Sequence, residues 1–582
     1  MKKSHILSAM IIAVLTLFPE LDAQIPNSKT TTPIRQWWNG KSALADWFGL
    51  GYAPKDYGLS VTGSAKQGYY GQVSGGLPNE PKSNWAAEVK LKAIYDFAKV
   101  FGLEGLTIES NWRYREIDGS QDTPYTALEA GTSGASGMFN PNHMSSGLGM
   151  RIMTQFLQWQ SDKSRDPRFL INLGWLNPYE QFLQQPLSKM FENNAIESNK
   201  GIGGQAGPGI PIWNGTKFVT YTTTPVPWTS SYASWGGSLR VKPSSSTYAM
   251  GGLYLAISGF NGVQTSAWGP TQVYPYTSVS PSYLGKIRPG GYSQVSTVNA
   301  SGRPNGTAKS SYVVPVHNNH GFNFQGAAAF NPNGNGGLYQ QNGLYNVNEF
   351  GWTPKIGPDK LEGKYAIGSY IWGQNNTSFT PTTYVVGQTK PTAFSQNNVI
   401  WGLYLQGDQR LYAVKENDPA APPATGGKNP VAPSRIPSKE KGLYTFNMCT
   451  FTPPQNNALP FYFQTGLIYK GLLPKRDADS CGVALAAGFY SSYYNQYIDS
   501  QNQALKTRYD GSNATPANTV SNTPPTAYIP HFTSTEVVEG FYNVQINKWA
   551  VIKPYVQWIV NPAGNGVCAN DVVMGASAKV LF

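Results

Sequence analysis

Residues 567–582 read VCANDVVMGASAKVLF, and from Val572 every second residue is apolar: Val572, Met574, Ala576, Ala578, Val580 and Phe582. A period of two is the signature of a β-strand with one apolar face. The same pattern recurs upstream. Leu59, Val61, Ala65 and Tyr69 alternate with Ser60, Thr62, Ser64 and Lys66. Ala87, Val89, Leu91 and Ala93 alternate with Glu88, Lys90 and Lys92. Ile108, Trp112 and Tyr114 alternate with Glu109, Asn111, Arg113 and Arg115. Trp235, Leu239 and Val241 alternate with Ser238, Arg240 and Lys242. Val399, Trp401, Leu403 and Leu405 alternate with Tyr404, Gln406, Asp408 and Arg410. Phe461, Phe463, Leu467 and Tyr469 alternate with Tyr462, Gln464 and Lys470. Tyr542, Val544 and Ile546 alternate with Glu539, Asn543 and Gln545. Helical spacing fits none of these segments.

A soluble sandwich also alternates, but its strands average about 5–6 residues. Many segments here run about 10 to 12, the length a tilted strand needs to cross an outer membrane. Their apolar faces carry Trp and Tyr near the ends, as an interfacial belt does. The pattern predicts an all-β fold: a transmembrane antiparallel β-barrel of roughly sixteen strands with long extracellular loops.

Connection lengths test that prediction, because they should alternate between short turns on the rim that holds the C-terminus and long loops opposite. Counting back from Phe582, residues 562–571, 495–536, 452–460 and 374–396 fall outside. Residues 549–551, 473–480 and 353–362 fall inside. The exception is 413–441, which is long, rich in Pro and Lys, and falls inside. It is either an insertion or the mark of a miscounted strand. The Ser/Thr/Asn/Gly/Pro-rich stretches 119–150, 196–230, 262–318 and 501–530 read as outer loops, some of which fold inward and narrow the pore.

Lys2 and Lys3, the apolar run 6–18 and Leu21-Asp22-Ala23 have the form of a signal peptide over 1–23. An N-terminal periplasmic segment, 24–57, and the barrel, 58–582, follow it. After Phe18 no apolar run approaches the ~20 residues of a spanning helix.

Composition agrees with a barrel. Charged residues are 13% and aromatics 13%, against about 25% charged in an ordinary soluble domain. The net charge is +12, but the Lys and Arg are scattered, so nucleic acid is not an expected partner. Cys449, Cys481 and Cys568 make no disulfide framework, and free thiols are expected. Histidine is limited to His5, His143, His317, His320 and His531. The HNNH at 317–320 lacks a further ligand nearby, so no metal and no cofactor is expected. There is no GxSxG, no phosphate-cradling Gly–Lys loop and no local carboxylate pair, so an enzyme is not expected.

Several stretches in their order along the chain resemble the carbohydrate-selective porins of the OprB type. They are GLSVTGSAKQGYYGQVSGG (58–76), LEGLTIESNWRY (103–114), SWGGSLRVKP (234–243), GLYNVNEFGWTP (343–354), LEGKYAIGSYIWG (361–373) and WGLYLQGDQRLY (401–412). GLIYKGLLPKRDAD (466–479) and EGFYNVQINKWAVIKPYVQWIVNPAG (539–564) are the most specific. The chain looks longer than typical members, with the excess in loops, and the N-terminal S-layer homology domain that some members carry is not expected in it. The resemblance implies passive, substrate-selective diffusion of carbohydrates across a bacterial outer membrane, with outer-membrane lipid around the barrel. It also implies recognition of Phe582 by the outer-membrane assembly machinery. Family members are described as monomeric or as homotrimers, and no residue here chooses between them.

The pore-lining residues follow from the polar faces. Sugar hydroxyls need donors and acceptors that bind weakly enough to permit exit. The candidates for substrate binding are Glu88, Lys90, Lys92, Glu109, Arg113, Arg115, Arg240, Lys242, Asp408, Arg410, Lys470 and Glu539, with Glu109, Arg113 and Arg115 nearest mid-strand. Glu349 shares a face with Val347, which leaves it open between a bulge and a wall contact. Basic lumen faces also suit anions, so a general or anion-selective porin is the alternative; a secreted carbohydrate-active enzyme is the more distant one.

Overall fold

The structure is a computed structural model. It describes residues 58–76, 83–117, 149–162, 166–197, 234–258, 340–377, 396–414, 441–496 and 531–582, single positions inside these ranges excepted, and a few short pieces besides. The predicted signal peptide, the 24–57 segment, the HNNH at 317–320, Cys568 and most of the predicted outer loops lie outside the described residues.

Sixteen strands form one sheet: β1 (Leu59–Gly76), β2 (Ser83–Asp96), β3 (Leu106–Ile117), β4 (Gly149–Gln160), β5 (Phe169–Leu176), β6 (Ser234–Val241), β7 (Thr247–Ser258) and β8 (Gln340–Trp352), then β9 (Leu361–Thr377), β10 (Gln396–Ala413), β11 (Gly442–Phe451), β12 (Phe461–Lys470), β13 (Ser480–Phe489), β14 (Ser534–Gln545), β15 (Ala550–Val560) and β16 (Ala569–Leu581). Each strand pairs antiparallel with its neighbour in sequence, and β16 pairs with β1, so the sheet closes on itself. Closure removes the edges that an open sheet would expose.

The expected alternation mostly holds, although the opposite connections 77–82, 452–460 and 561–568 are as short as the turns. On the rim that carries Phe582 the connections are short: 97–105, 161–168, 242–246, 353–360, 471–479 and 546–549. The exception, 414–441, does not come from a miscounted barrel strand. Ala413 pairs directly with Gly442, and Val414 N donates to Lys441 O at 3.2 Å. β10 and β11 are therefore direct neighbours in the barrel.

The apolar faces point out, away from the lumen. Val61, Leu173, Leu239, Leu253, Ile367, Leu403, Leu467, Val556 and Met574 are all exposed. Trp159, Trp235, Trp352 and Trp558 stand exposed near strand ends, as a belt requires. Free Cys449 and Cys481 sit half-buried on this outer face. The terminal residue completes the ladder: Phe582 N donates to Gly63 O at 2.9 Å and its carbonyl accepts from Gly63 N at 2.5 Å. Its ring lies over Gly63, where any Cβ would strike it, and packs on the cluster of Trp549 and Ala550.

The inner face is aromatic over much of its circumference. Tyr70, Tyr254, Tyr345, Tyr370, Tyr404 and Tyr462 are buried inside the barrel. Glycines directly across the ladder make room for two of the rings: Gly368 lies opposite Tyr404 and Gly402 opposite Tyr370. What covers these rings is a segment of the chain itself.

Candidate functional site

After β5 the chain turns into the lumen. Asn177 starts the turn by accepting from Tyr179 N at 3.0 Å, and Pro178–Glu180 form a short 3-10 turn. A second 3-10 turn, Ser188–Met190, and a helical turn, Asn194–Glu197, follow. Phe182, Leu183, Phe191, Ala195 and Ile196 are completely buried. They pack on the inner face formed by Tyr70, Tyr254, Tyr345, Tyr404, Phe446, Tyr462, Phe541 and Tyr555. Phe191 meets Phe541 edge-on at 4.8 Å between ring centroids.

Two wall carboxylates hold this segment. Glu349 of β8 accepts from Leu183 N at 2.8 Å, from Tyr248 OH at 2.6 Å and from Tyr404 OH at 2.8 Å. Glu349 and Val347 both face inward, so Glu349 is a wall contact and no bulge. Glu539 of β14 accepts from the amides of Glu192 and Asn193, each at 2.7 Å, and from Gln557 Nε2 at 3.0 Å. A third carboxylate, Glu192, reaches the other way. It pairs with Lys66 at 2.8 Å and Lys553 at 2.5 Å and accepts from Ser577 at 2.8 Å. Backbone amides and tyrosine hydroxyls that would be costly to bury alone are thereby satisfied by carboxyl oxygens.

Further hydrogen bonds finish the attachment. Gln185 bonds Asp408 at 3.2 Å and Asn447 O at 2.8 Å, and accepts from Gln464 at 2.9 Å. Lys364 donates to Gln184 O at 2.8 Å, and Tyr462 OH to Ala195 O. The segment therefore covers the wall from β7 round to β16. The polar wall of β2 and β3 stays open to the lumen across from it.

That wall brings together six of the sequence candidates. Glu88 is buried between Arg115, at 2.6 Å, and Lys90, at 2.8 Å. Glu109 pairs with Lys92 at 2.6 Å and accepts from Asn111 at 2.9 Å, and Asn111 also donates to Thr154 at 2.6 Å. Arg113 lies between these groups on the ladder, opposite Lys90. Facing them, Glu180 and Lys189 of the inward segment are exposed to the lumen. Glu180 is within electrostatic reach of Arg113, Lys90, Lys189 and Glu109. Two charged walls thus face each other across the narrowed lumen.

The other candidates face inward but sit elsewhere. Arg240 and Lys242 both pair with Asp166 in the short turn after β4. Arg410 and Lys470 both lie over the Tyr444 ring, 5.4 and 5.0 Å from its centroid. Asp408 bonds Gln185, and Glu539 is wholly covered by the inward segment.

Sequence reasoning missed the inward segment itself, with Glu180, Lys189 and Glu192, and the wall lysines Lys66, Lys364, Lys553 and Lys579. A signal was present: NPYEQFLQQPLSKMFENN carries Phe182, Leu183, Leu187, Met190 and Phe191 at a position where an outer loop was due. A loop in water has no use for such a density of large apolar side chains.

The model of the carbohydrate-selective porins, OprB family, matches residues 83–582. The chain belongs to that family. Porin B of Pseudomonas aeruginosa is 22% identical over 235 residues, 40% of this chain. The match spans 44% of porin B, under half of that relative's length. A high-pH structure of Pseudomonas putida OprB is 16% identical, covers 94% of this chain and 99% of its own, and has a TM-score of 0.60. That likeness bears out the closed sixteen-strand barrel. Family and barrel together point to a channel and mark an outer-membrane protein of the Gram-negative type.

Proposed function

We propose that this chain is an outer-membrane porin through which carbohydrates diffuse passively into the periplasm. The constriction between residues 177–197 and the β2–β3 wall is its selective element. One observation carries this reading: the inward segment is held by buried carboxylates and packed aromatics, so it fixes the width of a polar passage. Side chains on both sides of that passage can exchange hydrogen bonds with sugar hydroxyls. Lys90, Lys92 and Arg113 would donate and Glu109 would accept; Arg115 and Glu88, buried against each other, would set the position of Lys90. Asp408 lines the same lumen. Arg240, Lys242, Arg410 and Lys470 would line the exit. Glu539 would act through the segment it holds. Such contacts must favour entry yet release the solute, which single exposed hydrogen bonds do.

The test is conductance of the purified protein in planar bilayers, with glucose and longer glucans titrated in. Current should fall saturably with sugar. Arg113→Ala should raise the half-blocking concentration about tenfold, the effect of losing one hydrogen bond from a charged donor. Open channels that ignore every sugar would remove the carbohydrate reading and leave the barrel.

A further inference from the structure

Resting on the carbohydrate pore proposed above, we propose that the permeant best matched to this constriction is a sugar that carries a carboxylate. The inference comes from sorting the lumen charges by what they already hold. The carboxylates are mostly spent on the protein. Glu349 and Glu539 hold the inward segment, Glu192 is closed in by Lys66, Lys553 and Ser577, and Asp408 bonds Gln185. Glu88 is only 4% exposed between Arg115 and Lys90.

The cations are not spent in the same way. Lys90 remains 52% exposed and Lys92 42% exposed although each touches a glutamate. Lys189 and Lys579 are also exposed to the lumen. Among the described carboxylates of the constriction, Glu180 alone is as open. Lys90 is the common neighbour, within electrostatic reach of Glu180, Lys189 and Lys579. Like charges gathered in a narrow passage with protein walls focus their field, and rings of basic side chains favour anions.

A bare anion would use only half of the site. Glu109, Asn111 and Thr154 form a hydrogen-bonded strip beside the lysines on β2 and β3, with Glu180 across from it. That strip offers acceptors and donors to hydroxyls while the lysines meet a carboxylate. A sugar acid satisfies both sets at once; a neutral sugar or a small carboxylate satisfies one.

The experiment compares block of single-channel current by glucuronate, glucose and acetate in the same bilayer set-up. Glucuronate should half-block at a concentration about tenfold below glucose, as expected for more than one partly screened charge contact, and acetate should not block in that range. Raising the salt to about 1 M, where the screening length falls to about 3 Å, should shrink that preference. In a Lys90→Gln, Lys189→Gln, Lys579→Gln variant the ratio should approach one, and the matching Lys→Arg variant should keep it. Open channels in the bilayer report that each variant has folded. Equal or stronger block by glucose would overturn the sugar-acid assignment and keep the sugar pore. Block by acetate equal to that by glucuronate would overturn it in favour of a charge filter. Block by neither sugar would remove the sugar pore, and this inference with it.

Discussion

Glu539 shows how one side chain sets the passage without lying open to it. It points inward, as the alternation of β14 requires, and there it accepts two main-chain amides and Gln557. Glu539→Ala would leave the amides of Glu192 and Asn193 buried without their acceptor, at a cost of about 1–3 kcal/mol for each unsatisfied group. Single-channel conductance should rise and become noisy as the segment loosens, and thermal unfolding should move down. A Glu539→Gln change keeps one acceptor and should do less. Unchanged conductance in the alanine variant would rule out its part in holding the constriction. Gly368 makes the same point with no side chain at all. A Cβ there would lie 2.0 Å from Cζ of Tyr404, the residue whose hydroxyl reaches Glu349. Tyrosine and glycine thus face each other across β9 and β10 so that the ring can lie flat and its hydroxyl can reach the loop anchor.

At the level of elements, two connections depart from simple alternation for opposite reasons. Residues 177–197 are apolar enough to leave water and fold against the inner wall. The 415–440 stretch, rich in Pro, Ala and Lys, has no such face, and its flanks are pinned by the Ala413–Gly442 pair. Replacing 415–440 with a two-residue Asn-Gly turn, which suits a tight hairpin, should leave conductance and sugar block as they were. A clear loss of either in the bilayer assay would mean that this connection reaches the pore. Strand lengths belong to this scale too. They run from 8 residues in β5 to 18 in β1 and β10, and the long strands exceed the ~9–11 residues that a tilted spanning strand needs.

For the whole molecule, closure is the decisive event. β1 and β16 share a ladder whose partners lie 517 residues apart at Ser64–Leu581 and 493 apart at Gly76–Ala569, extended by the Gly63–Phe582 bonds. Contacts of such long range are slow to form and are rewarded only when the ring shuts. Phe582 seals that seam by covering Gly63 and packing on Trp549. Phe582→Ala should lower barrel stability by about 1–2 kcal/mol, the share of a half-buried aromatic ring. The readout is the temperature at which the folded band disappears from an unboiled detergent gel, which should fall by several degrees. No fall would show that backbone pairing alone holds the seam. The charge layout is also a property of the whole ring, because the lysines that face the passage come from β2, β16 and the inward segment.

The strands, their inward and outward faces, the barrel and the family were legible in the sequence, because a period of two is a local rule and the lipid-facing side must be apolar at every turn. The unusually long connection 414–441 was legible too, although only the pairing of Ala413 with Gly442 decided that no strand had been miscounted there. The sequence did not tell which inward polar residues meet solute. Glu88, Glu109, Glu349 and Glu539 look alike in alternation, and they are separated only by where residues 177–197 come to rest. That placement depends on side chains from β1, β7, β8, β10, β14, β15 and β16 converging in space. No local pattern encodes such a convergence, since the partners lie up to 385 residues apart in the chain, as Glu192 and Ser577 do.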